Sequence, residues 1–365
     1  MPYGPASNSC GLVLDRHVPK NAGTTVRSML RLNARRGSCE YIGYDMGRTW
    51  TSRVGFNHTS LAELTAELNA EPPPQRRLCA EAHMVAGSFW SDLATLRSGS
   101  FAHVCRVVVM VRVREPYSWY RSFYDWAARP RQRTGDARWG ENFTDWVPPN
   151  MQSRYLLHGA DGRASEWADE LAAKAAPGTS RRLSAAKWAT LTGWLARCVD
   201  VLAPLERFDD ALALLLVRSG LLLSTLAYTR AVPRPVNGPW DRQQHRTARV
   251  LSAREFCEAD ANTRRGCAEA VRVNAPDDFR LHELATRRFA AQWQLEGAAA
   301  ASAAASAADA DAARGDTVRH ASGGKRGGGH GRRVRRLNKH LSSRAAEEPP
   351  QMPKKLSGAN GRDCF

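Results

Sequence analysis

The chain has no C-x-x-C pair among its eight cysteines and no G-x-x-x-x-G-K-[ST] loop. The first absence argues against a zinc ribbon or a thioredoxin-type centre, both of which need that spacing. The second argues against a Walker loop, the usual cradle for ATP phosphates. Long apolar runs are missing as well. The most apolar region, Ala211 to Tyr228, is broken by Arg218, Ser219 and Gly220 and reads as a core helix with a turn, not as a membrane span. No leader or anchor is visible ahead of the first apolar run, and no internal repeat or metal-ligand spacing occurs. Acidic residues are scarce beside basic ones, 36 against 53, for a net charge of +17. That imbalance favours acidic partners.

What is present is a chain of 365 residues, 43% hydrophobic, enough for one large domain with a real core. The charge is uneven. Arg314 to Phe365 holds 13 Lys/Arg against 4 Asp/Glu. Together with the Ala-rich stretch Gly297 to Ala313, this segment lacks the apolar residues of a core and is expected to be disordered. We therefore divide the chain into an extension (1–10), a folded domain (11–295) and a low-complexity, then basic, tail (296–365). Cys257 and Cys267 are spaced to close a small disulfide loop, with two free thiols as the equal alternative. Asn57-His58-Thr59 and Asn142-Phe143-Thr144 are glycosylation sequons that permit a secretory setting.

Two stretches have the pattern strand, turn, helix. Leu12-Val13-Leu14 precedes His17-Val18-Pro19-Lys20-Asn21-Ala22-Gly23-Thr24-Thr25, where a new helix begins. Main-chain N–H groups at a helix start attract anions. Lys20 adds a full charge, and Thr24 and Thr25 add donors. Arg106 to Val113 is a near-continuous β-branched run that suits a central strand buried on both faces. After it come Arg114, Glu115 and Pro116, with Pro116 suited to the first turn of a helix running to about Ala128. Arg114 at the strand's end and Ser122 two turns along that helix form a second candidate anion site. Further helices are expected at Leu61–Leu68, Ser91–Arg97, Met151–Leu157, Ser184–Cys198 and Phe208–Leu216. A late one is expected to start at Asp277 and carry Leu281, Ala285, Phe289 and Trp293 on one face. Residues between the first helix and Asn57, and Trp139 to Pro149, read as loop.

These residues resemble the sulfotransferases that use 3'-phosphoadenosine 5'-phosphosulfate (PAPS). Pro19-Lys20-Asn21-Ala22-Gly23-Thr24-Thr25 is similar to their 5'-phosphosulfate loop, and the preceding His-Val is similar to the Golgi heparan sulfate 2-O/6-O group. Arg114-Glu115-Pro116-Tyr117-Ser118-Trp119-Tyr120-Arg121-Ser122 resembles the 3'-phosphate motif, in which the Arg and the Ser hold that phosphate. Asn150-Met151-Gln152-Ser153-Arg154-Tyr155-Leu156 resembles a segment of the 6-O enzymes, with Arg154 open to the cofactor or an acidic acceptor. The resemblance spans roughly residues 11 to 295.

The resemblance implies a single α/β domain with a central parallel sheet flanked by helices, like that of nucleotide kinases. The implied activity is transfer of a sulfuryl group from PAPS to a carbohydrate hydroxyl, with no metal. Lys20, Asn21, Ala22, Gly23, Thr24, Thr25, Arg114 and Ser122 would bind the donor. His83 is the expected base, since imidazole titrates near neutrality; Glu81 is its rival, and His17, His58 and His103 are weaker candidates. The acceptor is a glycan, an acidic one being compatible with the basic surface. Nucleic acid enters only through nonspecific contact with the tail. The address is the Golgi lumen or membrane, although no anchor is visible. The alternatives are a tyrosylprotein or small-molecule sulfotransferase, a nucleotide-dependent kinase and a non-catalytic polyanion binder.

Overall fold

The computed structural model describes residues 10–45, 61–70, 76–82, 88–129, 142–158, 181–220, 223 and 251–313. They form an α/β structure around a five-stranded sheet in which every pairing is parallel. The elements run β1 (Gly11–Arg16), α1 (Gly23–Arg35), β2 (Glu40–Asp45), α2 (Leu61–Ala70), β3 (Arg77–Ala82), α3 (Phe89–Ser98), α4 (Ser100–Val104) and β4 (Arg106–Val113). Next come α5 (Pro116–Phe123), a π-helical turn (Tyr124–Ala128), α6 (Phe143–Trp146), α7 (Met151–His158), α8 (Ala185–Cys198) and β5 (Val201–Pro204). A 3₁₀ turn, Leu205–Arg207, leads into α9 (Phe208–Ser219), and α10 (Ala253–Cys257), α11 (Ala261–Asn274) and α12 (Pro276–Ala313) complete the fold.

The strand order is β2-β3-β1-β4-β5. β1 is therefore central, and all six of its residues are buried. Side chains alternate between the two faces with the strand period of two. Leu12, Leu14, Leu78, Ala80, Val109 and Val111 join one core, together with Leu64, Leu93 and Trp90. Val13, Cys79, Val108, Met110, Val201 and Ala203 join the other, with Val26 and Met29 of α1, Leu212 and Leu215 of α9 and Phe289 of α12. A strand covered on both sides needs the unbroken apolar run that β4 displays.

Among the described residues three disulfides are formed: Cys10–Cys105, Cys39–Cys79 and Cys257–Cys267, with Cα separations of 5.0, 5.8 and 5.9 Å. The third is the pairing that the sequence left level with two free thiols. The first fastens the foot of β1 to the foot of β4, where the Arg106 N–H donates to the Cys10 carbonyl at 3.2 Å.

Several elements differ from the sequence reading. β2 lies in what reads as loop; it is an edge strand with a register shift between Tyr41 and Gly43, which blurs its alternation. β5 has four residues, too few to show a period. α6 interrupts the expected loop before Pro149, with the Asn142 carbonyl oxygen of its side chain accepting from the Asp145 N–H. Asn57 and the basic tail from residue 314 onward lie outside the described residues. Residue 295 lies inside a helix. α12 continues through the Ala-rich stretch to Ala313, and Ala300 and Ala304 are buried. Alanine has the highest helix propensity, so such a stretch extends an existing helix without needing bulky side chains. Among the described residues no helix is long and apolar enough to cross a membrane.

The Cys10–Cys105 bridge closes a loop of 95 residues. Replacing both cysteines by serine should lower unfolding free energy by roughly 2–5 kcal/mol. Denaturant titration checks this; an unchanged midpoint would show that the β1–β4 ladder alone fixes the pairing.

Candidate functional site

The C-terminal ends of β1, β3 and β4 lie side by side, and the chain leaves β1 through residues 17–22. This loop is held in an unusual shape. Lys20 and Ala22 have φ of 66° and 61°, in the left-handed region, and neither is glycine. Four hydrogen bonds fix it. The His17 N–H donates to the Ala82 carbonyl (2.8 Å) and the Asn21 N–H to the Val18 carbonyl (3.2 Å). The Asn21 side-chain amide donates to the Arg112 carbonyl (2.8 Å), and the Trp119 indole N–H to the Pro19 carbonyl (2.7 Å). α1 starts next, with Ala22 as its cap. Alanine has no side-chain acceptor, so the helix start keeps its attraction for an external anion.

Gly23 has no latitude. A Cβ there would lie 1.8 Å from Cε1 of His17. The imidazole fills the space because it is turned inward to Glu81: Nδ1 is 2.8 Å from Oε1. Arg27 of α1 donates to the same carboxylate, Nε to Oε2 at 2.8 Å and Nη2 to Oε1 at 3.1 Å. A carboxylate only accepts, so His17 carries its proton on Nδ1. Burial pushes the Glu81 carboxyl up, but hydrogen bonds from His17 and Arg27 outweigh it and bring the pKa to about 2. Burial holds His17 below its ordinary value against the pull of Glu81. His17 is thus a buried partner of the loop, and Glu81 is an ionised anchor occupied on both oxygens. Beside them Arg112 donates from Nη2 to both oxygens of Asp15, at 2.7 and 2.5 Å. Asp15 and Glu81 face each other in register on β1 and β3. Burial raises the Asp15 carboxyl, and Arg112 offsets part of that rise.

Above this layer stand the cations. The Arg114 main chain is gripped by the Gln152 side chain: Arg114 N–H donates to Oε1 (3.0 Å), and Nε2 donates to the Arg114 carbonyl (2.9 Å). The Arg114 guanidinium donates through Nε to the Ser118 hydroxyl (2.9 Å) and through Nη1 to the Lys20 carbonyl (3.4 Å). Burial lowers the Lys20 ammonium from its ordinary value and the neighbouring Arg114 charge lowers it further, against the pull of Asp125. Burial likewise lowers Arg114, against the pull of Glu206 and Glu115. Lys20 Nζ lies 5.6 Å from the centre of the Trp126 ring, and Trp126 is 55% exposed on the π-helical turn. Glu115 caps α5, accepting from the Tyr117 and Ser118 N–H groups at 3.0 and 2.6 Å.

The structure therefore brings Lys20 and Arg114 together with the start of α1. Thr24 is exposed at that start, while Thr25 is buried. Asn21 is buried and serves as a tie for the loop. Ser122 lies one turn beyond Ser118 on α5, and Ser118 is the hydroxyl that Arg114 meets. Arg154 is half-buried on α7. His83, which follows the last residue of β3, lies outside the described residues. Sequence reasoning missed Ser118, Gln152 and Trp126. Ser118 falls four residues after Arg114, a spacing that was there to be read; Gln152 was visible only as a letter in a segment weighed for Arg154.

No family model matches the chain, no curated protein matches it, and no solved structure matches it.

Two predictions follow from the geometry around His17. Gly23→Ala should destabilise the fold by about 1–3 kcal/mol through overpacking against the imidazole, read by thermal or chemical denaturation; wild-type stability would show that His17 has room to turn. Glu81 has a depressed pKa, so its stabilisation is full above the ordinary 4.5 and is lost as pH falls toward about 2. Across that window the wild type should lose stability with a slope approaching ~1.4 kcal/mol per pH unit more than Glu81→Gln does. Parallel stability curves for the two proteins would contradict the ion-pair account.

Proposed function

We propose that this protein is a PAPS-dependent O-sulfotransferase with a P-loop nucleotide-kinase-like fold, and that its acceptor is a carbohydrate hydroxyl. The observation that carries the reading is the pairing of Lys20 and Arg114. Two half-buried cations from the ends of adjacent strands are joined through the Lys20 carbonyl; burial depresses the Lys20 pKa and the Arg114 charge adds to this, against the pull of Asp125. Like charges held together in a partly desolvated place are costly, and a bound polyanion relieves that cost. The topology supports the same location. β2 and β3 lie on one side of β1 and β4 and β5 on the other, and in open parallel sheets ligands bind at strand ends where the order reverses.

In this reading Lys20 and the first N–H groups of α1 receive the phosphosulfate end of the donor, with Thr24 beside them. Arg114, with Ser118 and Ser122 along α5, receives the 3'-phosphate. Lys20 is placed to stabilise negative charge developing on the departing phosphate oxygen. Clamping both ends of one nucleotide fixes the sulfur in line with the incoming hydroxyl. His83 is the proposed base that accepts the hydroxyl proton. Glu81 is the less suited base, because both of its oxygens are held by His17 and Arg27. Three disulfides support an oxidising compartment of the secretory pathway such as the Golgi lumen. An acidic glycan suits the net charge of +17.

Labelled-sulfate transfer from PAPS to a panel of glycans is the direct test, with ATP as the competing donor. Lys20→Ala and Arg114→Ala should each cut transfer by roughly 100-fold or more. His83→Ala should abolish turnover while leaving affinity for adenosine 3',5'-bisphosphate intact. Full activity in Arg114→Ala would remove the 3'-phosphate assignment, and phosphate transfer from ATP would replace the reading with a kinase.

A further inference from the structure

Gln152 is fully buried at the second position of α7. Its amide is spent on the two anion segments. Oε1 accepts from the Arg114 main-chain N–H at 3.0 Å and from Asn21 Nδ2 at 3.2 Å, and Nε2 donates to the Arg114 carbonyl at 2.9 Å. The amide thus pairs with Arg114 as a neighbouring strand would, where β4 has already ended. At the same time it touches the Asn21 side chain, which ties the Lys20 loop to β4. Gln152 is itself fixed from behind, for its own N–H donates to the Asp278 carboxylate at 3.1 Å.

We propose that Gln152 is a positioning residue that sets the spacing between the Lys20 and Arg114 cations, so that the site selects ligands carrying anionic groups at both ends of one nucleoside. This deepens the donor assignment above and rests on it. A lost hydrogen bond that merely stabilised the fold would weaken all ligands alike. A spacer does something different: it governs the advantage that a two-anion ligand has over either half.

The test is calorimetric titration with adenosine 3',5'-bisphosphate, adenosine 5'-monophosphate and adenosine 3'-monophosphate, on wild type and on Gln152→Met. Methionine keeps the length and removes all three bonds. In wild type the bisphosphate should bind more tightly than the better monophosphate by about 100-fold, and in Gln152→Met that advantage should shrink by roughly 10-fold, with each monophosphate changed far less. Gln152→Glu keeps the acceptor for Arg114 N–H and Asn21 and loses the donor. It should fall between the two, and it carries the test if the methionine variant does not fold.

An undiminished advantage in both variants overturns the proposal. If wild type binds none of the three nucleotides, the donor assignment fails, and amide hydrogen exchange judges Gln152 separately. Exchange at Arg114 and across residues 17–22 should then rise together in Gln152→Met while β2 is unchanged; no rise at either segment overturns the spacer role.

Discussion

Lys20 and Ala22 adopt left-handed backbone without being glycine, and the architecture of the site follows from what holds them there. Such residues cost on the order of 1 kcal/mol each or more, and they persist only where their surroundings over-determine them. Here the surroundings are specific. The indole of Trp119 and the amide of Asn21 tie the loop to β4 and α5, and the His17 N–H ties it to β3. Most of these bonds end on main-chain carbonyls. The loop's shape is thus set by its neighbours and does not wait for a ligand, which lowers the ordering cost of binding.

Beneath Lys20 and Arg114 lies a layer of buried ion pairs. Asp15 is paired with Arg112, and Glu81 with Arg27 and a neutral His17. These buried pairs offset each other within the layer; above them Lys20 has Asp125 nearby, and Arg114 has Glu206 and Glu115. Buried ion pairs contribute little net stability compared with apolar packing, but deleting one member leaves a buried charge alone. Their value here is positional. Glu81 links β3, the loop and the first turns of α1 through one carboxylate, so the start of α1 is held against the strand ends.

How much of this was legible in the sequence depended on the kind of signal. β1, β4, α1 and α5 announce themselves, because a buried strand followed by Gly or Pro and a helix leaves a linear trace. β2 and β5 do not: one is an edge strand with a register shift and the other is four residues long. The pairing of cysteines 39 and 79 spans 40 residues and carries no local mark. Lys20 and Arg114 were legible as charges at helix starts, but their contact was not, since it depends on the parallel pairing of β1 with β4. Ser118 and Gln152 illustrate the deeper limit. A side chain that serves another residue's main chain looks, in sequence, like any polar residue.

Asp278, in the first turn of α12, is fully buried and accepts from the Gln152 and Ser153 N–H groups, the Ser153 hydroxyl and the Tyr120 hydroxyl. It caps α7 from a distance of more than a hundred residues in sequence. Burial raises its pKa to about 6 in spite of these donors. The native state therefore holds this proton more tightly than the unfolded chain does. The resulting stabilisation is full below the ordinary value of 3.8 and is lost as pH rises through about 6. This is the opposite sense to Glu81, and the two windows overlap only between 3.8 and 4.5. At neutral pH the ionised Asp278 is held by its four donors, and two of these are the main-chain groups that aim Gln152 at Arg114. α12 thus bears on Arg114 without touching it: α12 fixes α7, α7 fixes Gln152, and Gln152 fixes the strand end that carries Arg114.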